Sequence, residues 1–148
     1  MTIDPTNPIV ATILAGIAAE TAGRIGDARA RFEAAWGSAA DDYDACIAAH
    51  FLARVQPEAT DRLGWNREAV ARAHAVGDER VLGFYPSLYL NLGYSLEECG
   101  DRAEAARIYA LAEAQLPILS PGPYGDVVRD GVRRALLRIA SPGASFGA

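Results

Sequence analysis

Apolar and small residues recur at helical spacing from Ile9 to Ala140, broken by short clusters of Gly, Pro and Asp. The clearest stretch, Tyr85 to Pro117, predicts two amphipathic helices joined by a tight turn at Gly100-Asp101. Small residues fall where the helices must touch: Gly93 on the first, Ala105 and Ala112 on the second. Tyr89 and Tyr109 fill the remaining space, and Pro117 ends the pair. Four of these intervals recur near the N-terminus. Gly16 to Gly23 spans seven residues, as does Gly93 to Gly100. Gly23 to Ala28 spans five, Ala28 to Phe32 four and Phe32 to Ala35 three, matching Gly100–Ala105, Ala105–Tyr109 and Tyr109–Ala112. Four matched intervals define an internal repeat.

Between the two copies the pattern is irregular. Asp41, Asp42 or Asp44 can start a helix through Cys46, Ile47, His50, Phe51 and Arg54. Pro57-Glu58 opens another through Leu63, Trp65, Ala69, Val70, Ala73 and Val76, which stops at Gly77. Gly16 and Gly93 lie 77 residues apart, more than two repeats of about 34. The extra length is expected in a long second helix and the loop Gly77-Asp78-Glu79. A last helix is expected within Pro121–Ala140, carrying Val127, Val128, Val132, Ala135, Leu136 and Ile139. Its Gly131 follows Gly93 by 38 residues, as in the first half of a fourth unit packed on as a cap. Residues 1–8 and 141–148 are expected to be a flexible lead and tail around one domain, 9–140.

This spacing, with Leu92-Gly93, a turn Gly, then Ala105, Tyr109, Ala112 and Pro117, resembles the tetratricopeptide repeat family. The resemblance is specific over Tyr85–Pro117, good over Ile9–Ala40 and loose between them. The segments His50–Arg54, Trp65-Asn66 and Phe84–Ser87 also look like a group of small bacterial tetratricopeptide proteins without an assigned reaction. The resemblance implies an all-α, right-handed α-solenoid of about three helix pairs plus a C-terminal capping helix. It also implies a concave groove lined by the first helix of each pair, where partners of this family usually bind.

Composition narrows the partners. The net charge of −5 argues against nucleic acid, which needs a basic surface. The chain has no Lys, and from Pro121 onward four Arg face two Asp, so that end is net positive. The apolar run Ile9–Ala19 is too short to span a bilayer and has no basic region before it. No membrane partner or signal peptide is expected, and a cytoplasmic location is. Its helix is apolar on nearly every face, which predicts that something covers it, most simply a second copy in a homodimer. The thiols of Cys46 and Cys99 are expected to be buried and reduced.

If Gly93 packs against its partner helix, Asn91, Tyr94, Ser87, Leu90 and Glu98 face the groove. The same offset from Gly131 selects Arg129, and Arg54 is a third member from the middle pair. An Asn with Arg forks suits a carboxylate, since both offer N–H donors. Some tetratricopeptide domains hold a partner's C-terminal carboxylate with Asn, Lys and Arg; Asn91 matches such an Asn, and the Lys residues have no match. A structural role competes: Arg129 paired with Glu97 or Glu98, and Asn91 bonded to the neighbouring helix. Phe51, Tyr85, Trp65 and Tyr94 could line an aromatic pocket, with Trp65 expected in the core. His50 and His74 lie on different helices without ligand spacing, so no metal or other cofactor is expected. Asp41-Asp42-x-Asp44 lacks the Gly and Glu of a calcium loop, and no nucleophile or phosphate-loop motif is present. The expected function is a scaffold or interaction module that binds a peptide or protein segment through Arg54, Tyr85, Asn91, Tyr94, Glu98 and Arg129. The alternative is a small-molecule binder or enzyme with a pocket between the middle and third pairs, using His50, Arg54 and Tyr85.

Overall fold

The computed structural model describes residues 4–141. The expected lead and tail therefore fall partly outside the described residues. The described residues contain seven α-helices and no strand: α1 (Pro8–Thr21), α2 (Ile25–Gly37), α3 (Asp42–Arg54), α4 (Ala59–Val76), α5 (Tyr85–Glu98), α6 (Arg102–Gln115) and α7 (Pro123–Ala140). Short 3-10 turns cover Glu79–Phe84 and Leu116–Ile118. The chain divides into two compact units, one ending at Val81 and one beginning at Leu82. Helix α4 is long, at 18 residues, and the Glu79–Phe84 turn extends beyond the loop expected at Gly77-Asp78-Glu79.

The helix starts follow local chemistry. Asn7 caps α1 by accepting from the Ile9 amide at 3.0 Å, with Pro8 in the first turn. Of the three candidate aspartates, Asp41 is the cap of α3, accepting from the Asp44 amide at 2.9 Å. Asp101 does the same for α6 through the Glu104 amide.

The internal repeat is written in the backbone. Gly23 and Gly100 both have positive φ, 80° and 87°. The amides that follow them, Arg24 and Asp101, reach back to the carbonyls of Ala19 and Leu96 at 2.9 and 2.8 Å. These are matching Schellman turns, in which glycine adopts the left-handed conformation at little cost. Each turn folds its hairpin so that an aromatic ring lies on a glycine. Phe32 of α2 covers Gly16, and Tyr109 of α6 covers Gly93. Both rings are fully buried.

In the first unit, α1/α2 and α3/α4 form hairpins and α2 packs on α3. Its core holds Ile13, Phe32, Cys46, Leu52 and Ala73, with the Phe32 and Phe51 rings 5.4 Å apart. Helix α1 is not covered all round: it buries Ile9, Val10, Ile13, Gly16 and Ala19, while Leu14 is 57% exposed. In the second unit, α5/α6 form the hairpin and α7 packs on both, burying Leu96, Ile108, Tyr109, Val128, Val132 and Ala135. No helix is long and apolar enough to cross a membrane among the described residues.

Candidate functional site

The geometry of α7 decides which expected groove residues belong together. Three contacts fix the face it turns to α5. The Tyr124 and Ser87 hydroxyls are 2.9 Å apart. A Cβ placed on Gly131 would lie 2.9 Å from the Leu90 side chain. Arg138 reaches Glu97 and stands over the Tyr94 ring at 5.8 Å. The residues that α7 uses, 124, 131 and 138, are spaced by seven, one face of a helix. Gly131 thus points at α5. It is not the counterpart of Gly93, which points at Tyr109 of α6.

This changes the site. Arg129 lies two residues before Gly131, about 200° around the helix, on the side turned from α5. There it pairs with Asp126 at 3.0 Å and folds back over Gly125. Its partner is neither Glu97 nor Glu98. On α5, Asn91, Tyr94 and Glu98 do share a face, within about 60° of one another and turned from the Gly93 side that meets α6. Tyr94 is 45% exposed, and Asn91 and Glu98 are half-buried. Tyr85 belongs elsewhere, stacked on Tyr89 with centroids 5.4 Å apart, about 120° from Asn91. Ser87 and Leu90, expected on the open wall, meet α7 instead. Arg54 is in the first unit, where it pairs with Glu20 at 2.8 Å and lies over the Phe51 ring.

The residues of α7 that continue the Asn91 face are Val127, Asp130 and Arg134. They flank the Gly131 stripe on the side opposite the buried Val128, Val132 and Ala135. Val127 is 69% exposed, and the Arg134 side chain 67%. Asp130 accepts from Arg133 and pairs with Arg134 at 3.0 Å. Two guanidiniums share one carboxylate, which leaves local positive charge on an exposed surface. Spacing from Gly131 does not select Arg134, because Gly131 meets Leu90 of α5 and is not the counterpart of Gly93.

Behind this wall lies a buried ionic cluster. Glu97, its side chain 1% exposed, accepts from the Tyr109 hydroxyl at 2.6 Å and from both Arg138 nitrogens, the nearer at 2.6 Å. Arg102 stands 3.9 Å away. Burial pushes the Glu97 carboxyl up, but the Arg138 and Tyr109 hydrogen bonds and the Arg138 and Arg102 charges outweigh it. Its pKa falls below the ordinary value. Burial and the Glu97 carboxylate both raise the Tyr109 phenol, and the Glu97 hydrogen bonds raise Arg138. All three ionisation preferences favour one fixed arrangement, so the cluster ties α5, α6 and α7 together.

Two buried groups of the first unit, Cys46 and His50, are held in their neutral forms at neutral pH. Burial pushes the Cys46 thiol up to about 12. Cys99 departs from expectation: it is exposed, because it occupies the turn position after α5. Burial, then the Arg54 charge, hold the His50 imidazole down to about 4. A lowered histidine pKa means that the unfolded chain takes up the proton first. Stability should therefore be complete above pH 6.5 and fall through the window from 6.5 to about 4. The loss should be about 2 kcal/mol, allowing for a residue that is only half-buried. Urea titrations across that window should show the slope, and His50→Gln should flatten it.

No group of three or more His, Cys, Asp and Glu residues could hold a metal ion among the described residues. Trp65, expected in the core, is half-buried and meets Trp36 edge-on, with centroids 5.0 Å apart. The chain matches no family model, no curated protein and no solved structure.

Proposed function

We propose that this chain is a tetratricopeptide-like interaction module that captures an extended peptide or protein segment bearing a carboxylate. The observation that carries the proposal is the composite face of α5 and α7, where Asn91, Tyr94 and Glu98 continue into Val127 and Arg134. Exposed Tyr94 and Val127 supply apolar contact. Arg134 supplies the fork for a carboxylate. Its pairing with Asp130 is solvent-exposed, worth about 0–1 kcal/mol, so an incoming carboxylate can replace it. The matching turns and glycine–aromatic contacts of α1/α2 and α5/α6 support the repeat architecture, and the intracellular adaptor role goes with it.

The test compares two arginines on one helix. Peptides with free or amidated C-termini would be screened against wild type, Arg134→Glu and Arg129→Glu. Arg134→Glu should weaken free-carboxylate peptides about tenfold, the value of one charged hydrogen bond, and Arg129→Glu should leave them unchanged. Equal losses, or indifference to amidation, would remove the α5–α7 face from the proposal.

Self-association through α1 stands apart. Its 14 residues run about 21 Å, so a strip 10 Å wide offers roughly 200 Å² where a stable interface uses about 800 Å² per partner. A dimer would need surface beyond this helix.

A further inference from the structure

We infer that the cleft between α2 and α4 is a binding site for a small organic cation with an apolar shell, such as a quaternary ammonium group. The cleft has a volume of about 360 Å³ and is lined by Trp36, Thr60, Asp61, Gly64, Trp65 and Glu68. It lies wholly in the first unit and is independent of the α5–α7 face.

Four features point to a cation. First, the two indoles meet at 80°, forming an aromatic corner. Aromatic faces attract cations, tryptophan most of all, and corners of this kind hold alkylated ammonium groups. Second, Asp61 and Glu68 are seven residues apart on α4, with Gly64 and Trp65 between them on the same face. One acidic residue thus lies about one turn to either side of the Gly64-Trp65 step. Third, the protein already uses the chemistry here. The Arg72 guanidinium lies 5.4 Å from the Trp36 ring centroid and pairs with Glu68 at 2.7 Å. Arg72 also pairs with Asp42 at 2.8 Å, so its charge is already engaged by two carboxylates. Asp61 is left to complement a second cation.

The fourth feature is Gly64. Glycine inside a helix is destabilising by about 0.5–1 kcal/mol relative to alanine. At Gly16 and Gly93 packing explains the residue, because an aromatic ring occupies the place of the Cβ. At Gly64 nothing lies within 4 Å of that place, and its φ is not in the left-handed region. Packing does not require a glycine there. The absent side chain keeps the floor of the cleft open.

The test uses the fact that the chain's two tryptophans both line this cleft, so tryptophan fluorescence, excited selectively over tyrosine, reports the site alone. Choline and tetramethylammonium would be titrated at constant ionic strength beside 3,3-dimethylbutanol, the neutral analogue of choline. A saturable emission change is expected for both cations near about 1 mM, at least tenfold weaker for the alcohol. Asp61→Asn should weaken choline about tenfold, and Gly64→Leu, which enters open space, should abolish the response while helicity is retained. A trimethyl-lysine peptide separates the sources: affinity equal to choline assigns a free cation, and tighter binding a cation borne on a chain. No saturable change, equal response to the alcohol, or wild-type binding by Gly64→Leu would overturn the site. Gly64→Ala binds no partner group of its own and keeps the proposal testable if the leucine variant misfolds: it should narrow the cleft and weaken choline.

Discussion

Arg138→Ala should destabilise the second unit by about 3–5 kcal/mol, the loss that follows when one partner of a buried ion pair is removed. The size comes from the asymmetry of the pair. Glu97 is 1% exposed in its side chain and Arg138 is 23% exposed. Without the guanidinium the carboxylate keeps only the Tyr109 hydroxyl and the distant charge of Arg102 at 3.9 Å. Glu97→Gln should cost less, because Arg138 can turn outward. Arg129→Ala, which breaks an exposed pair with Asp126, should stay within about 0.5 kcal/mol. Replacing Glu97, Arg138 and Tyr109 together with Leu, Met and Phe should recover most of the loss, since no buried polar group is then left without a partner.

The same variant should reverse the pH dependence. In the wild type the lowered Glu97 pKa makes the unfolded chain bind the proton first. The cluster's contribution is therefore present above the ordinary value of 4.5 and lost as pH falls below it. In Arg138→Ala burial is no longer outweighed, and the carboxyl rises above its ordinary value. The folded state then binds the proton first, and stability is lost as pH rises through the raised pKa. Urea midpoints at pH 4 and pH 7 distinguish the cases. Parallel slopes in both proteins would show that Glu97 does not carry the network.

Hairpins and their turns are legible in this chain because they depend on short-range chemistry. A glycine at a left-handed turn and a glycine under an aromatic ring constrain residues less than 20 positions apart, so equal spacing at Gly16–Ala35 and Gly93–Ala112 transmits the same geometry twice. The rotation of α7 is not local. Gly131 resembles Gly93 in spacing, yet it serves for close approach to Leu90 of α5, where Gly93 meets Tyr109 of α6. That difference puts Arg129 on the side of α7 turned from α5 and Arg134 beside the Asn91 face. The Trp36–Trp65 corner is not legible in the sequence for a related reason. Tryptophan is most often core by composition, and only the approach of α4 to α2 reveals that both rings border open space. The sequence offers Glu97 as a partner for Arg129, but its burial beneath Arg138 and Tyr109 depends on the same rotation of α7.

Gly93→Ala should destabilise the protein by about 1–3 kcal/mol, and the same substitution at Gly64 should stabilise it by about 0.5–1 kcal/mol. At Gly93 the new Cβ would lie 2.5, 2.6 and 3.0 Å from Cε1, Cδ1 and Cζ of Tyr109. The ring cannot move aside freely, because it is fully buried and its hydroxyl is held by Glu97 at 2.6 Å. Overpacking against a fixed neighbour exceeds the gain in helix propensity. At Gly16 the obstacle is Phe32, which is equally buried but has no hydroxyl anchor, so Gly16→Ala should cost less than Gly93→Ala. At Gly64 there is no neighbour, and only the propensity gain remains. Denaturation of the three variants tests the order: Gly93 worst, Gly16 intermediate, Gly64 better than wild type. Tyr109→Phe removes the anchor and should bring the cost of Gly93→Ala down to that of Gly16→Ala. If the cost is unchanged in that background, the backbone and not the Glu97 hydrogen bond holds the ring in place.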